Sequence, residues 1–282
     1  MFGHRSDGKE LKNVSPLFKI IPSIMKERSD AQVYFNQDIK ITPMEEYIAK
    51  KAEEGIKLSL LDIVYAAVVR IISERPQLNR FCVNGRTYAR NDLTVSIAIK
   101  KSLTDDGEET NIKPYFTGNE TIFEVKDILQ SMIEENKKVE TQNSTDKFIN
   151  ALNKIPTSVF KFIIGLIKFL DKHGHLPKSL IKLSPMHTSA YITNVGSLGI
   201  NSIYHHIYNF GTTSLFFAMG KKKKSYIYED DEIKEEKVIN VAFVGDERIC
   251  DGYYFASSFR QLYKYLMHPE MLETPGKRVK EV

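Results

Sequence analysis

The chain has 282 residues, 42% of them hydrophobic and 27% charged, with 16 Phe, 14 Tyr and no Trp. Its 40 Lys and Arg against 36 Asp and Glu leave a net charge of +4, too mild a field to argue for nucleic acid. This composition excludes long disorder and collagen-like repeats, and the length suffices for a sizeable core in one large or two small domains.

Residues 1–15 are polar and read as a loose arm. Leu17, Ile20, Ile21 and Ile24 have helical spacing over residues 16–25. Residues 32–42 (QVYFNQDIKIT) read as a strand with an irregularity near Asn36. Thr42, Pro43 and Glu45 then fit the cap, first and third positions of a helix running to Glu54. Residues 59–75 give the strongest helical pattern: Ser59 caps it, Asp62 sits in the first turn, and Leu60, Ile63, Val64, Ala67, Val68, Ile71 and Ile72 form a broad apolar face. A hairpin around Asn84-Gly85 joins residues 80–83 to 87–89, and residues 93–99 alternate as a strand. Residues 122–139 form a charged amphipathic helix, and residues 140–155 an exposed polar connection.

The most apolar run, residues 159–170 (VFKFIIGLIKFL), reaches about two-thirds of a bilayer-spanning length and carries Lys161 and Lys168. It is read as a helix buried against the core, with an interfacial helix on a membrane or partner as the alternative. Residues 190–195, 214–219, 226–228 and 238–244 read as strands, and residues 250–266 as a closing helix. Strands and helices interleave without a regular βαβ period, so the expected fold class is α/β, a mixed β-sheet packed with helices.

The two cysteines, Cys82 and Cys250, cannot form a disulfide framework, which fits a reducing, cytoplasmic setting. The first ten residues lack the apolar core of a signal peptide. His173 and His175 have no evident third ligand, so no metal is expected. The lysines at 221–224 could meet phosphates but fit a solvated turn better. There is no Walker or dinucleotide-binding glycine motif.

Three segments then occur in order: residues 191–199 (YITNVGSLG), residues 216–220 (FFAMG) and residues 244–252 (VGDERICDG). They resemble the catalytic domain of the 2-oxo acid dehydrogenase acyltransferases, which share the chloramphenicol acetyltransferase fold. Members carry a run similar to ISNLGxxG, an apolar strand ending in Gly, and DHRxxDG. The likeness spans roughly residues 15–270, with no lipoyl domain. It implies an arm at 1–15, an acyltransferase-like domain at 16–270 and a tail at 271–282. It also implies a homotrimer with an intersubunit site, coenzyme A or acyl-CoA as co-substrate, and a small-molecule acyl donor and acceptor. Neither nucleic acid nor a membrane is expected as partner.

In the family a histidine deprotonates the acceptor thiol, and a hydroxyl steadies the oxyanion. Here Glu247 stands at the histidine position, while Asp246, Arg248, Asp251 and Gly252 match. A carboxylate, with a reference pKa of ~4.3, is a poor thiol base unless burial raises it. Glu247 is therefore either an altered base or a mark of lost catalysis, with a non-catalytic acyl-CoA-binding or scaffold protein as the alternative. The resemblance makes Asp251 the brace of the loop and places Arg248 at the cofactor. His205 and His206 lie in the region bordering the family's substrate channel, so one imidazole can replace the missing base: His206 is assigned to catalysis and His205 to the cofactor, against ordinary loop histidines. Asn194, Ser197 and Ser202 lie on the segment that supplies the oxyanion hydroxyl, with either serine eligible for that role, Asn194 assigned to the cofactor, and a plain turn as the alternative. Cys250 is read as a small buried filler.

Overall fold

The computed structural model describes residues 5–101, 109–137, 147, 150 and 154–281. Its main sheet has seven strands. Six of them run in the order β2 (Gln32–Lys40), β10 (Glu232–Asp246), β9 (Leu215–Glu229), β8 (Ala190–Asn194), β5 (Leu93–Lys100) and β6 (Glu109–Ile112), and β7 (Tyr115–Phe116) also pairs with β5. β5, β8 and β9 are mutually parallel and the other pairings are antiparallel, so the sheet is mixed as expected. A second sheet joins β1 (Gly8–Glu10), β4 (Arg86–Arg90) and β3 (Arg80–Val83). The β3–β4 turn is the predicted Asn-Gly turn, with φ of 51° at Asn84 and 73° at Gly85.

Helix α3 (Leu60–Glu74) explains why the core sits on one face of the sheet. Ser59 and Asp62 close a reciprocal capping box, and nearly the whole helix is buried, including Ile63, Val68, Ile71 and Ile72. Each such aliphatic side chain contributes ~1.5–3 kcal/mol by burial. Around α3 pack α2 (Thr42–Glu53), α4 (Ile122–Lys137) and α7 (Gly252–Met267). α2 begins one residue earlier than expected, with Ile41 as its cap and no side-chain bond from Thr42. Phe217 and Phe243 meet these helices, whereas Tyr191, Phe216 and Val244, registered across β8, β9 and β10, face the opposite side and pack with Ile207.

Several expectations change. β2 pairs without a break through Asn36. The predicted strands at 214–219 and 226–228 are one long strand, β9, which the lysines at 221–224 do not interrupt. β6 has no signal in the sequence, because Glu109, Thr110 and Asn111 are all polar and only Ile112 is apolar. The amino-terminal arm is not loose: β1 pairs with β4, and Arg5 binds the buried Asp7 and Asp171. The tail at 271–282 is likewise fastened. Arg70 donates to the Thr274 carbonyl, and Val279 N–H donates to Ser73 O at 2.9 Å. Most of the predicted connection at 140–155 lies outside the described residues.

The largest correction concerns residues 159–170. They form helix α5 (Thr157–Lys172), but this helix is not a core element. Val159, Phe162, Leu166 and Phe169 are exposed, and only Asp171 is fully buried. The short α6 (Lys178–Leu183) follows, and α1 (Pro16–Ile24) also exposes Leu17, Ile20 and Ile24.

Candidate functional site

The motif loop follows β10 and is fixed from several sides. Asp246, fully buried, accepts from Arg248 Nε at 2.8 Å and Nη2 at 2.7 Å, and lies 3.7 Å from Arg28 Nε. Arg248 also donates to the carbonyls of Met25 and Lys26 at 2.9 and 3.4 Å. Arg28 is spent on the carbonyls of Tyr208, Asn209 and Cys82. Burial opposes the charge on both guanidiniums. It wins at Arg28, whose pKa falls, while hydrogen bonding and attraction to Asp246 raise that of Arg248.

Glu247 N–H donates to Ala31 O at 2.9 Å, and its half-buried carboxylate has no polar partner among the described residues. Arg80 Nη1 donates to Ile249 O at 2.9 Å. Asp251 caps α7 by accepting from Tyr254 N–H at 2.7 Å, so it steadies the loop–helix junction. Cys250 is buried, and burial pushes its thiol far up, which suits a packing residue rather than a nucleophile.

A cleft of about 590 Å³ opens at the other end of β8 and β5. Leu61, Ile99, Ile133, Leu198 and Phe216 form its apolar wall, and Lys100, Lys101 and Lys137 line it as well. Asn194, Ser197 and His205 reach this cleft. Arg248 instead borders a separate cleft near α1, and neither Glu247, His206 nor Ser202 lines either one among the described residues.

His205 stacks on Phe216, with ring centroids 4.1 Å apart. A carbonyl can only accept, so the 2.8 Å contact from His205 Nδ1 to His206 O fixes the proton on Nδ1. In the neutral ring Nε2 is then the basic nitrogen. Burial lowers the His205 pKa, outweighing the bond to that carbonyl, so the ring favours its neutral form. His206 is exposed and stacks beside it at 4.9 Å. The structure thus places the histidine assigned to the cofactor, rather than the one assigned to catalysis, in the cleft.

Both candidate serine hydroxyls are occupied. Ser197 Oγ donates to Asn194 O at 2.7 Å, and Ser202 Oγ bonds Asn240, away from the cleft. Thr193, one residue before Asn194, also lines the cleft, and its hydroxyl has no partner among the described residues. The sequence held a signal for it: aligning ITNVG with the run ISNLG sets Thr193 at the serine. The glycines of these segments have a steric reason as well. A Cβ on Gly196 would lie 2.4 Å from Gly220 O, and one on Gly220 would lie 2.4 Å from Ser202 N.

The sequence pattern of the 2-oxoacid dehydrogenases acyltransferase catalytic domain matches residues 180–274. No curated protein sequence matches the chain. Among solved structures, a probable dihydrolipoamide acetyltransferase from Listeria monocytogenes superposes with a TM-score of 0.56 at 16% identity, over 92% of this chain and 94% of that one. A truncated catalytic core of the 2-oxoacid dehydrogenase multienzyme complex from Thermoplasma acidophilum gives 0.56 at 15% identity, over 93% and 99%. Chloramphenicol acetyltransferase gives 0.54 at 11%, over 92% and 99%. At such identities the structural likeness is one of fold. The chain therefore has the chloramphenicol acetyltransferase-like α/β fold, and its residues 180–274 carry the catalytic-domain pattern of the 2-oxoacid dehydrogenase acyltransferases.

Proposed function

We propose that this protein is a CoA-dependent acyltransferase in which His205 replaces the motif histidine. The observation that carries this reading is the His205 ring in the cleft, with Nδ1 tied to His206 O and Nε2 left as the basic nitrogen. The cleft suits coenzyme A: its apolar wall fits the pantetheine arm, and Lys100, Lys101 and Lys137 fit the phosphates. When bound, CoA supplies an acyl thioester and a thiol leaving group. His205 Nε2 accepts the proton of the acceptor's thiol, amine or hydroxyl as that atom bonds to the thioester carbonyl carbon, and returns it to the CoA thiolate when the carbon–sulfur bond breaks. Thr193 donates to the carbonyl oxygen as negative charge develops there. Asp246 and Arg248 hold the motif loop and take no part in proton transfer.

We further propose a homotrimer. The acyltransferase pattern over residues 180–274 supports it, and in such an assembly the motif loop, remote from this cleft in its own chain, would border a neighbour's cleft without supplying the base. Light scattering tests this by mass.

The direct test is release of CoA thiol from acetyl-CoA in the presence of dihydrolipoamide, or of amine or hydroxyl acceptors. His205→Gln should remove the activity while Glu247→Gln leaves most of it. The reverse result would make Glu247 the base. A second reading, a non-catalytic acyl-CoA-binding protein, is favoured by the carboxylate at the motif position. It predicts CoA binding by calorimetry without turnover, and turnover appearing in Glu247→His.

A further inference from the structure

Helix α5 has three distinct faces. Phe160, Ile164 and Ile167 turn partly inward with the buried Asp171. Phe162 and Phe169 are 70% and 56% exposed, and with Val159 and Leu166 they repeat at three- and four-residue intervals, so they form one outward apolar stripe. Lys161, Lys168 and Lys172, at intervals of seven and four, form a separate cationic stripe between the two. The helix has 16 residues, about 24 Å long, and no helix among the described residues is long and apolar enough to cross a membrane. The ends of α5 and α1 border one cleft, through Lys168 and Lys172 on one side and Pro22 and Ser23 on the other. α1 adds Leu17, Ile20 and Ile24, which are 55–69% exposed.

We propose that α5, assisted by α1, docks the protein on an anionic lipid surface, with the helix lying in the interfacial plane. Apolar side chains enter the acyl boundary, and the lysines meet the headgroup charge. Charge complementarity selects this occupant. An anionic surface neutralises Lys161, Lys168 and Lys172 at once, while the apolar stripe beside them leaves water.

The experiment is flotation of the full chain with vesicles of phosphatidylcholine alone, or of phosphatidylcholine with about one-third phosphatidylglycerol. The bound fraction should rise more than about tenfold on the anionic vesicles. Phe162→Glu combined with Leu166→Glu should abolish flotation on both compositions, with circular dichroism unchanged because both sites are exposed. Lys161→Gln, Lys168→Gln and Lys172→Gln together should reduce anionic binding to the neutral level. Failure of the native chain to float with anionic vesicles overturns the proposal, as does undiminished flotation of the double glutamate variant. A fall in oligomeric mass in that variant, without vesicle binding by the native chain, would reassign the face to self-association and equally overturn it.

Discussion

Arg80 and Glu281 are joined across 201 positions of sequence: Arg80 Nε donates to one carboxylate oxygen at 2.8 Å and Nη2 binds the other. The same guanidinium holds Ile249 O, so the carboxy-terminal tail is coupled to the motif loop through one buried side chain. Glu281→Gln leaves the Arg80 charge without its counter-ion and is expected to cost about 1–3 kcal/mol in urea unfolding. Hydrogen exchange should quicken at Ile249 and Cys250 more than in α3. Equal protection at those amides in the variant would show that the tail does not brace the loop.

Asp246→Asn is a harsher change. The carboxylate is fully buried against Arg248 and near Arg28, and the amide leaves two cations facing each other. A loss of about 3–5 kcal/mol is expected from denaturant titration. A loss below about 1 kcal/mol would mean that the backbone carbonyls bound by the two arginines suffice to hold them.

Acid sensitivity should begin at His187. Its ring is buried against Phe210, with Nδ1 2.8 Å from Ser184 Oγ and Nε2 3.2 Å from Asp171, while Arg5 and Asp7 lie in the same network. Burial lowers its pKa, outweighing the pull of Asp171. Burial opposes ionisation of Asp171 and Asp7 too, but the bonds and charges of Arg5 and, for Asp171, His187 prevail and hold both carboxylates low. The unfolded chain binds the histidine proton near its reference value of ~6.5 and the folded chain only below that, so this contribution is present above ~6.5 and is lost as pH falls. The native protein should lose roughly 1 kcal/mol more than His187→Gln between pH 7 and 5.5, measured by urea unfolding at each pH. Parallel pH profiles would remove His187 from the account.

Legibility in the sequence followed periodicity. The capping box at Ser59 and Asp62 and the alternation in β5 are local signals, and both elements appear where expected. Helix α5 shows the limit: its hydropathy reveals an apolar helix but not what covers it, and the outer stripe remains exposed. Adjacent histidines are beyond pattern reading, because the segment from Gly199 to Gly211 has no regular period to tell which ring turns toward the sheet. The Arg80–Glu281 pair is non-local and has no motif. The glycines were visible, but their cause, the close approach of Gly196 to Gly220, required three dimensions.

His205 and His206 offer a functional separation within one dipeptide. His205→Ala removes a ring that lines the cleft and shapes it together with Phe216, and should weaken CoA binding by about tenfold, a loss of about 1.4 kcal/mol. His206→Ala, outside the cleft, should change affinity less than about twofold. Calorimetric titration with CoA measures both. Equal effects would place the ligand elsewhere.

Gly196→Ala tests the steric logic of the turn after β8. The added methyl would lie 2.4 Å from Gly220 O and 2.6 Å from its carbonyl carbon, and both are backbone atoms of β9 that cannot rotate away. Relief requires the turn and the strand to part, so the neighbouring Asn194, Ser197 and Thr193 would shift relative to the cleft. A destabilisation of about 1–3 kcal/mol is expected, together with weaker CoA binding. The contrast is Gly199→Ala, where nothing lies within 4 Å of a Cβ and only the φ of 78° opposes the change, so about 1–2 kcal/mol is expected with little effect on the ligand. If the two variants bind CoA alike, close packing of the turn against β9 does not set the shape of the site.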